Sequence, residues 1–195
     1  MANDLIYAVR SSVGFGLRKG LEGQSIFEDS RTRVVDTQTQ QIRHEFDLKR
    51  TTHIVFSPLD THLVTYQPYQ IYGPKSEPGR VQVLSLEEKF PVVCSKSMFK
   101  FDKATLTWNH KGSALLVMAS VDVDKTNQSY YGEQQLFLMN VLSGDAYMVP
   151  LAKTGPVYAA RWNPNGKEFA VCYGYMPAKV GKHTQRQNRE STSAV

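Results

Sequence analysis

One stretch decides how this chain folds: residues 96–133, KSMFKFDKATLTWNHKGSALLVMASVDVDKTNQSYYGE. It holds two runs of aliphatic, aromatic and β-branched residues, at 104–108 and 114–120, with Asn-His-Lys-Gly between them. A third such run, at 134–141, follows a charged loop that contains two tyrosines. Short runs of this kind, bounded by Asn and Gly, are typical of β-hairpins. The stretch therefore predicts three strands of one antiparallel sheet, the unit of a repeated all-β protein.

An aromatic residue followed by a turn recurs along the chain. Each of Phe56, Trp108 and Trp162 precedes Ser or Asn and then a turn, after which an apolar run resumes. Hairpins at near-regular spacing, with one such signal per unit, indicate WD40-like blades of a β-propeller. A large ring at the same point of each blade most simply fills the gap between neighbouring blades. We therefore expect these three residues to be blade-core aromatics with a structural role.

The expected fold is all-β, an incomplete propeller. Residues 1–179 contain about three blades' worth of strands, too few to close a ring. Residues 81–86 are expected to close the first blade, and segments 12–23 and 67–79 are expected to be loops. The polar residues 180–195 are expected to form a disordered tail. Such a chain should expose blade faces and sheet edges.

Composition and motifs argue for a binding protein and against an enzyme. The net charge is +5, from 23 basic and 18 acidic residues, which permits contact with RNA without requiring it. Cys94 and Cys172 lack metal-ligand spacing, so no metal is expected. No serine-hydrolase elbow, zinc-protease motif or phosphate-binding loop is present, so we expect no catalytic residues and no cofactor. With no signal-peptide pattern and no membrane-length apolar run, the chain is expected to be cytoplasmic.

The loop at 122–133 is the candidate contact surface. Acidic residues occupy three positions of an EF-hand pattern, but Asn127 stands where that loop needs glycine, so calcium is disfavoured. Lys125, Tyr130 and Tyr131 offer charge and flat apolar area, and Tyr is enriched at interfaces. They are the candidate contacts with RNA or a protein partner. The alternative, a long inter-strand loop that packs on its own blade, remains open.

Two segments resemble a known family. One segment runs from Ser97 to Glu133, with the Trp-Asn pair, ALLVMAS, VDVDKT and SYYGEQ, and the other is Thr154–Lys179, with GPVYAARWNPNGKEFAVCYGYMPAK. Both are similar to eukaryotic translation initiation factor 2A, and the propeller of initiation factor 3 subunit b resembles them more distantly. The resemblance ends at Lys179. Family members are longer, and here the pattern passes from 81–86 almost directly to 96–99, where the family has further blades. We therefore expect a shortened or alternatively spliced form.

The resemblance implies a function. Members of the family have a nine-bladed WD-type propeller in the cytoplasm and deliver initiator methionyl-tRNA to the small ribosomal subunit without GTP hydrolysis. The implied partners are the small ribosomal subunit and initiator tRNA, together with other initiation factors or mRNA, and no membrane. Two alternatives stand beside this expectation: a propeller fragment that binds other initiation factors, or an inactive or dominant-negative truncated form.

Overall fold

The computed structural model describes residues 6–11, 14–19, 24–29, 32–36, 38–46, 50–72, 74–87, 89–121 and 132–185. All the regular elements in these ranges are β-strands, eighteen in number. The chain divides into two compact units, Met1–Lys49 and Arg50–Val195.

The first unit contains two small antiparallel sheets. One has the order β1-β2-β3 and the other pairs β4 with β5. The strands are β1 (Ile6–Ser11), β2 (Gly14–Lys19), β3 (Gln24–Asp29), β4 (Thr32–Val35) and β5 (Ile42–Phe46). The prediction of a loop at 12–23 is wrong, because β2 lies within it. Its glycines hide the strand from the sequence, since Gly is depleted in strands.

The first blade of the second unit has four strands in the order β11-β10-β7-β6. They are β6 (His53–Phe56), β7 (His62–Gln67), β10 (Gly79–Ser85) and β11 (Val92–Met98), and the hairpin of β8 (Gln70–Tyr72) and β9 (Lys75–Glu77) lies between β7 and β10. The prediction of a loop at 67–79 is therefore wrong, because the β8–β9 hairpin lies within this segment. The strand predicted at 81–86 does not close the blade either, because β11 lies outside it. Polar residues interrupt β11, as suits an edge strand, so no continuous apolar run marks it.

The second blade confirms the predicted strands. It contains β12 (Lys103–Trp108), β13 (Ala114–Ser120), β14 (Gln134–Asn140) and the short β15 (Ala146–Met148). The third blade contains β16 (Val157–Trp162), β17 (Glu168–Tyr173) and β18 (Lys179–Thr184). The boundary expected at residue 180 is therefore too early, because β18 pairs with β17 along its whole length.

Two apolar cores lie between the blades. Alternate residues of β13 face opposite sides, as in any strand: Leu115 and Val117 join the core shared with the first blade, and Leu116 joins the core shared with the third. The middle blade is therefore buried on both faces, which is how propeller blades pack. The fold is all-β and consists of WD40-like blades of an incomplete propeller, as predicted.

The three blades share individual hydrogen bonds as well as strand positions. In each blade the turn between the first two strands is closed by an amide donating to a carbonyl three residues earlier: Asp60 N to Ser57 O (3.0 Å), Gly112 N to Asn109 O (3.0 Å) and Gly166 N to Asn163 O (2.8 Å). The three donor residues all have positive φ, at 51°, 63° and 69°. Glycine adopts this region without steric cost, and Asp tolerates it better than most residues.

Asn109 links the second and third blades. Its side chain is fully buried, and its Oδ1 accepts hydrogen bonds from the amides of Ser113 (2.9 Å) and Ala114 (3.2 Å). Its Nδ2 donates to Ser113 Oγ at 2.9 Å and, across the blade boundary, to Gly166 O at 2.8 Å. In the first blade, Ser57 Oγ accepts the corresponding pair of amides, from Thr61 and His62.

We expect Gly112→Ala to lower the free energy of unfolding by roughly 1–2 kcal/mol, the cost of placing an L-residue in the left-handed region. An added Cβ would also lie 3.3 Å from Ser57 Cβ in the preceding blade. The matched control is Asp60→Gly, which removes a side chain from the equivalent position and should not destabilise the chain. Urea unfolding followed by circular dichroism measures both, and a Gly112→Ala midpoint equal to that of wild type would contradict the expectation.

Candidate nucleic-acid interface

One end of the blades carries the connections between second and third strands. These are residues 68–78, 121–133 and 174–178, and we call this end the long-loop face. The ends of neighbouring blades meet here: Gln134 Oε1, at the start of β14, accepts a hydrogen bond of 2.6 Å from the amide of Val157, at the start of β16. Tyr69 N likewise donates to Phe101 O between the first and second blades.

The predicted contact residues Lys125, Tyr130 and Tyr131 lie outside the described residues. The described ends of their loop are joined by a hydrogen bond of 3.0 Å from Val121 N to Glu133 O. The loop therefore arises from the long-loop face of the second blade. The role expected of the three residues stays a prediction.

The three repeated aromatic residues differ in how far they are buried. Trp162 packs on the core between the second and third blades, its Nε1 donates to Thr107 O at 2.9 Å, and its ring meets that of Phe169 edge-on at 5.2 Å. Trp108 packs against the core between the first and second blades.

Phe56 is the exception, since its side chain is 54% exposed. Trp108 and Trp162 each lie on the side of their blade that faces the preceding one. Phe56 belongs to the first blade of its unit, so that unit offers it no preceding blade to pack on. The expectation that it fills a gap between blades is therefore wrong.

A short loop in the third blade presents two large apolar side chains that the sequence reasoning did not single out. Tyr175 is 50% exposed and Met176 is 82% exposed. Lys153 Nζ donates to Tyr175 O at 2.7 Å and to Pro177 O at 3.0 Å, and Gly174 N donates to Pro156 O at 2.9 Å. The sequence signal for this loop is a Tyr-Met pair between Gly and Pro, which are turn formers.

The preceding linker packs directly against the backbone of this loop. Gly155 has φ of +133°, and a Cβ placed on it would lie 2.6 Å from Tyr175 N. Only glycine fits this approach. Together with the Lys153 hydrogen bonds, this contact ties the backbone of residues 174–177 to the preceding linker.

The third blade is also the most basic part of the described chain. Residues 146–185 contain five Lys or Arg residues and a single acid, Glu168. Glu168 lies at the end opposite the long-loop face and accepts a 2.8 Å ion-pair contact from Lys182. Its hydrogen bonds, that from Lys182 first, lower the pKa of the Glu168 carboxyl. At the long-loop face, Lys153 and Lys179 have no acidic neighbour in residues 146–185.

The buried titratable groups belong to the cores. Burial, with a smaller contribution from Asp102, raises the pKa of Tyr66 to about 12. Burial, with a smaller contribution from the charge of Asp145, raises the pKa of the Cys94 thiol to about 11. Both groups are therefore neutral near about pH 7 and act as packing groups. Within the described residues, no three His, Cys, Asp or Glu side chains are grouped to hold a metal ion.

Where the structure describes the chain, no helix is long and apolar enough to cross a membrane.

Comparison with known proteins identifies close relatives. The family described as eukaryotic translation initiation factor eIF2A matches residues 96–192. Eukaryotic translation initiation factor 2A of Caenorhabditis elegans is 34% identical over 308 aligned residues, which cover 95% of this chain and 54% of the relative. The protein of the same name from Schizosaccharomyces pombe is 38% identical over 114 residues, or 58% of this chain and 20% of the relative.

A solved structure supports the fold. The crystal structure described as that of the eukaryotic initiation factor superposes with a TM-score of 0.63 at 20% identity, covering 91% of this chain and 47% of that one. At this identity the likeness establishes the fold alone.

The matches also bear on the length of the chain. It spans about half of the Caenorhabditis elegans relative, 54% of it. The alignment runs over 308 residues and this chain has 195, so more than a hundred positions have no counterpart here. Such a gap fits the prediction of a shortened form. The family match continues to residue 192, past the end expected at Lys179. The chain belongs to the eukaryotic translation initiation factor 2A family.

Proposed function

We propose that this chain is a non-enzymatic translation initiation factor of the cytoplasm that helps to deliver initiator methionyl-tRNA to the small ribosomal subunit. The observation that carries the proposal is the family match over residues 96–192, which includes the second and third blades. The chain spans about half of its Caenorhabditis elegans relative. Delivery of tRNA by this shorter chain is therefore our proposal.

The long-loop face supports a role in RNA binding. It carries the connection that contains Lys125 and the two tyrosines, and beside it the acid-free end of the third blade with Lys153 and Lys179. Phosphate contacts come from Lys and Arg, and aromatic rings stack on bases. We therefore expect one face of the second unit to combine both kinds of group.

Filter binding of labelled initiator tRNA across a salt series tests this function. Wild type should bind with an affinity that falls steeply with salt, because each phosphate contact releases counterions. Lys125→Ala should weaken binding and reduce the log–log salt slope by about one. Replacing Tyr130 and Tyr131 together by Ala should weaken binding roughly tenfold at every salt concentration, the loss expected for a stacked base.

The control variant is Leu142→Ala. Leu142 is 83% exposed on the turn between the third and fourth strands of the second blade, at the opposite end from the long-loop face. Its replacement should leave tRNA binding unchanged. An affinity that stays flat between low and physiological salt would exclude an RNA-binding role.

A second candidate is a fragment that binds other initiation factors, or a dominant-negative form of the factor. The observation that favours it is the exposure of Phe56, since a bare apolar ring is typical of an interaction surface. Capture of initiation factors that survives nuclease treatment, together with no tRNA binding, would favour this candidate over the first.

A further inference from the structure

We propose that the loop at residues 174–177 forms a binding platform for an unpaired RNA nucleotide. The base would stack on the Tyr175 ring beside Met176, and the adjoining phosphates would lie near the ammonium groups of Lys153 and Lys179. The inference rests on the proposed function, because it assigns an RNA subsite to the same long-loop face. It concerns residues other than Lys125, Tyr130 and Tyr131, and it can be tested separately.

The platform is preorganised. Lys153 Nζ donates to two carbonyl oxygens of the loop, those of Tyr175 (2.7 Å) and Pro177 (3.0 Å). Gly155 packs so closely on the Tyr175 amide that no side chain fits between them. A loop that is already ordered loses little conformational entropy when a ligand binds.

The exposed groups suit a nucleobase. Half of the Tyr175 surface and most of the Met176 surface remain open to solvent. Two neighbouring large side chains exposed on one loop form a small apolar surface, which is more typical of a contact site than a single exposed residue is. Stacking on an aromatic ring accepts any base, because each base has a π-face.

The net positive charge of residues 146–185 favours RNA over a protein partner. Residues 146–185 carry five basic residues and one acid, and that acid is paired with Lys182 at the far end of the blade. Lys153 and Lys179 thus provide positive charge where a phosphate adjoining the stacked base would lie. Protein–protein interfaces, in contrast, are depleted in Lys.

The test measures fluorescence anisotropy of a labelled oligouridine of about twelve nucleotides, a length that spans a typical single-strand site. Tyr175→Ala should weaken binding roughly tenfold, the loss expected for one stacked base. Tyr175→Phe keeps the ring and should bind as wild type does. Lys179→Gln should weaken binding and lower the log–log salt slope by about one.

Two controls accompany these variants. Leu142→Ala removes an even more exposed apolar side chain from the opposite end of the second blade and should bind as wild type does. The urea midpoint of Tyr175→Ala should match that of wild type, because the side chain is half exposed, and this separates lost binding from lost folding.

The outcomes are distinguishable from those of the tRNA experiment. Oligouridine binding that needs the Tyr175 ring supports the platform even if initiator tRNA does not bind. The platform is overturned if wild type fails to bind oligouridine or if Tyr175→Ala binds within about twofold of it, less than one stacked base contributes. It is equally overturned if Tyr175→Ala abolishes only nuclease-resistant capture of other initiation factors, since the loop would then be a protein contact.

Discussion

Replacing Asn109 by Ala should lower the free energy of unfolding by about 2–4 kcal/mol, because several buried polar groups would lose their partners together. The amides of Ser113 and Ala114 donate to Asn109 Oδ1, and Gly166 O accepts from its Nδ2 across the blade boundary. The Asn109 side chain is fully buried, so water cannot replace these hydrogen bonds without opening the interface. Urea unfolding followed by circular dichroism measures the loss.

The repeat supplies a matched control for this prediction. Asn163 occupies the same position in the third blade, where it is exposed and its Oδ1 accepts a local bond from Asn165 N at 3.0 Å. Asn163→Ala should therefore cost less than about 1 kcal/mol. Equal losses for the two variants would mean that the local turn, and not the link between blades, is what Asn109 stabilises.

A second variant of Asn109 separates its two roles. Asn109→Asp retains an acceptor for the amides of Ser113 and Ala114 but places a carboxylate oxygen against Gly166 O. Since two acceptors then face each other in a buried site, this variant should also be clearly destabilised. Wild-type stability in Asn109→Asp would show that the hydrogen bond to the third blade contributes little.

Trp162→Ala should lower the free energy of unfolding by about 3 kcal/mol, the low end of the range for core Trp because the ring is only partly buried. The loss combines the packing of the indole on Phe169 with the hydrogen bond from its Nε1 to Thr107 O. Unfolding followed by circular dichroism is the measurement, because the substitution also removes one of the two tryptophan fluorophores.

Two further variants test which interactions of Trp162 account for this loss of stability. Trp162→Phe keeps a ring on the core but leaves Thr107 O without its donor, and it should cost about 1 kcal/mol or slightly more. Phe56→Ala removes the equivalent ring from the first blade, where the ring is 54% exposed, and should cost less than about 1 kcal/mol. A Phe56 effect as large as that of Trp162 would mean that the ring packs in solution after all.

Much of the blade architecture can be predicted from local sequence. The β13 strand was expected at its observed bounds, Ala114–Ser120, because its apolar run ends at turn-forming residues on one side and a polar loop on the other. The three blade turns share the aromatic-Ser/Asn signal and one hydrogen-bonding pattern. In contrast, the sequence does not predict β11, because an edge strand tolerates polar residues. It does not predict β2 either, because glycine is depleted in strands.

The candidate site was predicted less completely than the fold. The sequence singles out the tyrosine-bearing loop of the second blade because its composition is unusual, and the role of that loop stays a prediction. Tyr175 and Met176 were not, although they lie within the stretch that resembles the family. Their significance depends on Lys153, which lies 22 residues before Tyr175 and whose hydrogen bonds to the loop no local pattern encodes.

The amino-acid order alone thus specifies where the strands of each blade begin and turn, because turns and strand preferences are local properties. It also specifies the family. The burial of equivalent residues is decided only when the blades pack. Trp162 lies between two blades, whereas Phe56, which has the same sequence signal, stays exposed. Burial depends on the neighbour across the interface, and that neighbour comes from a distant part of the chain.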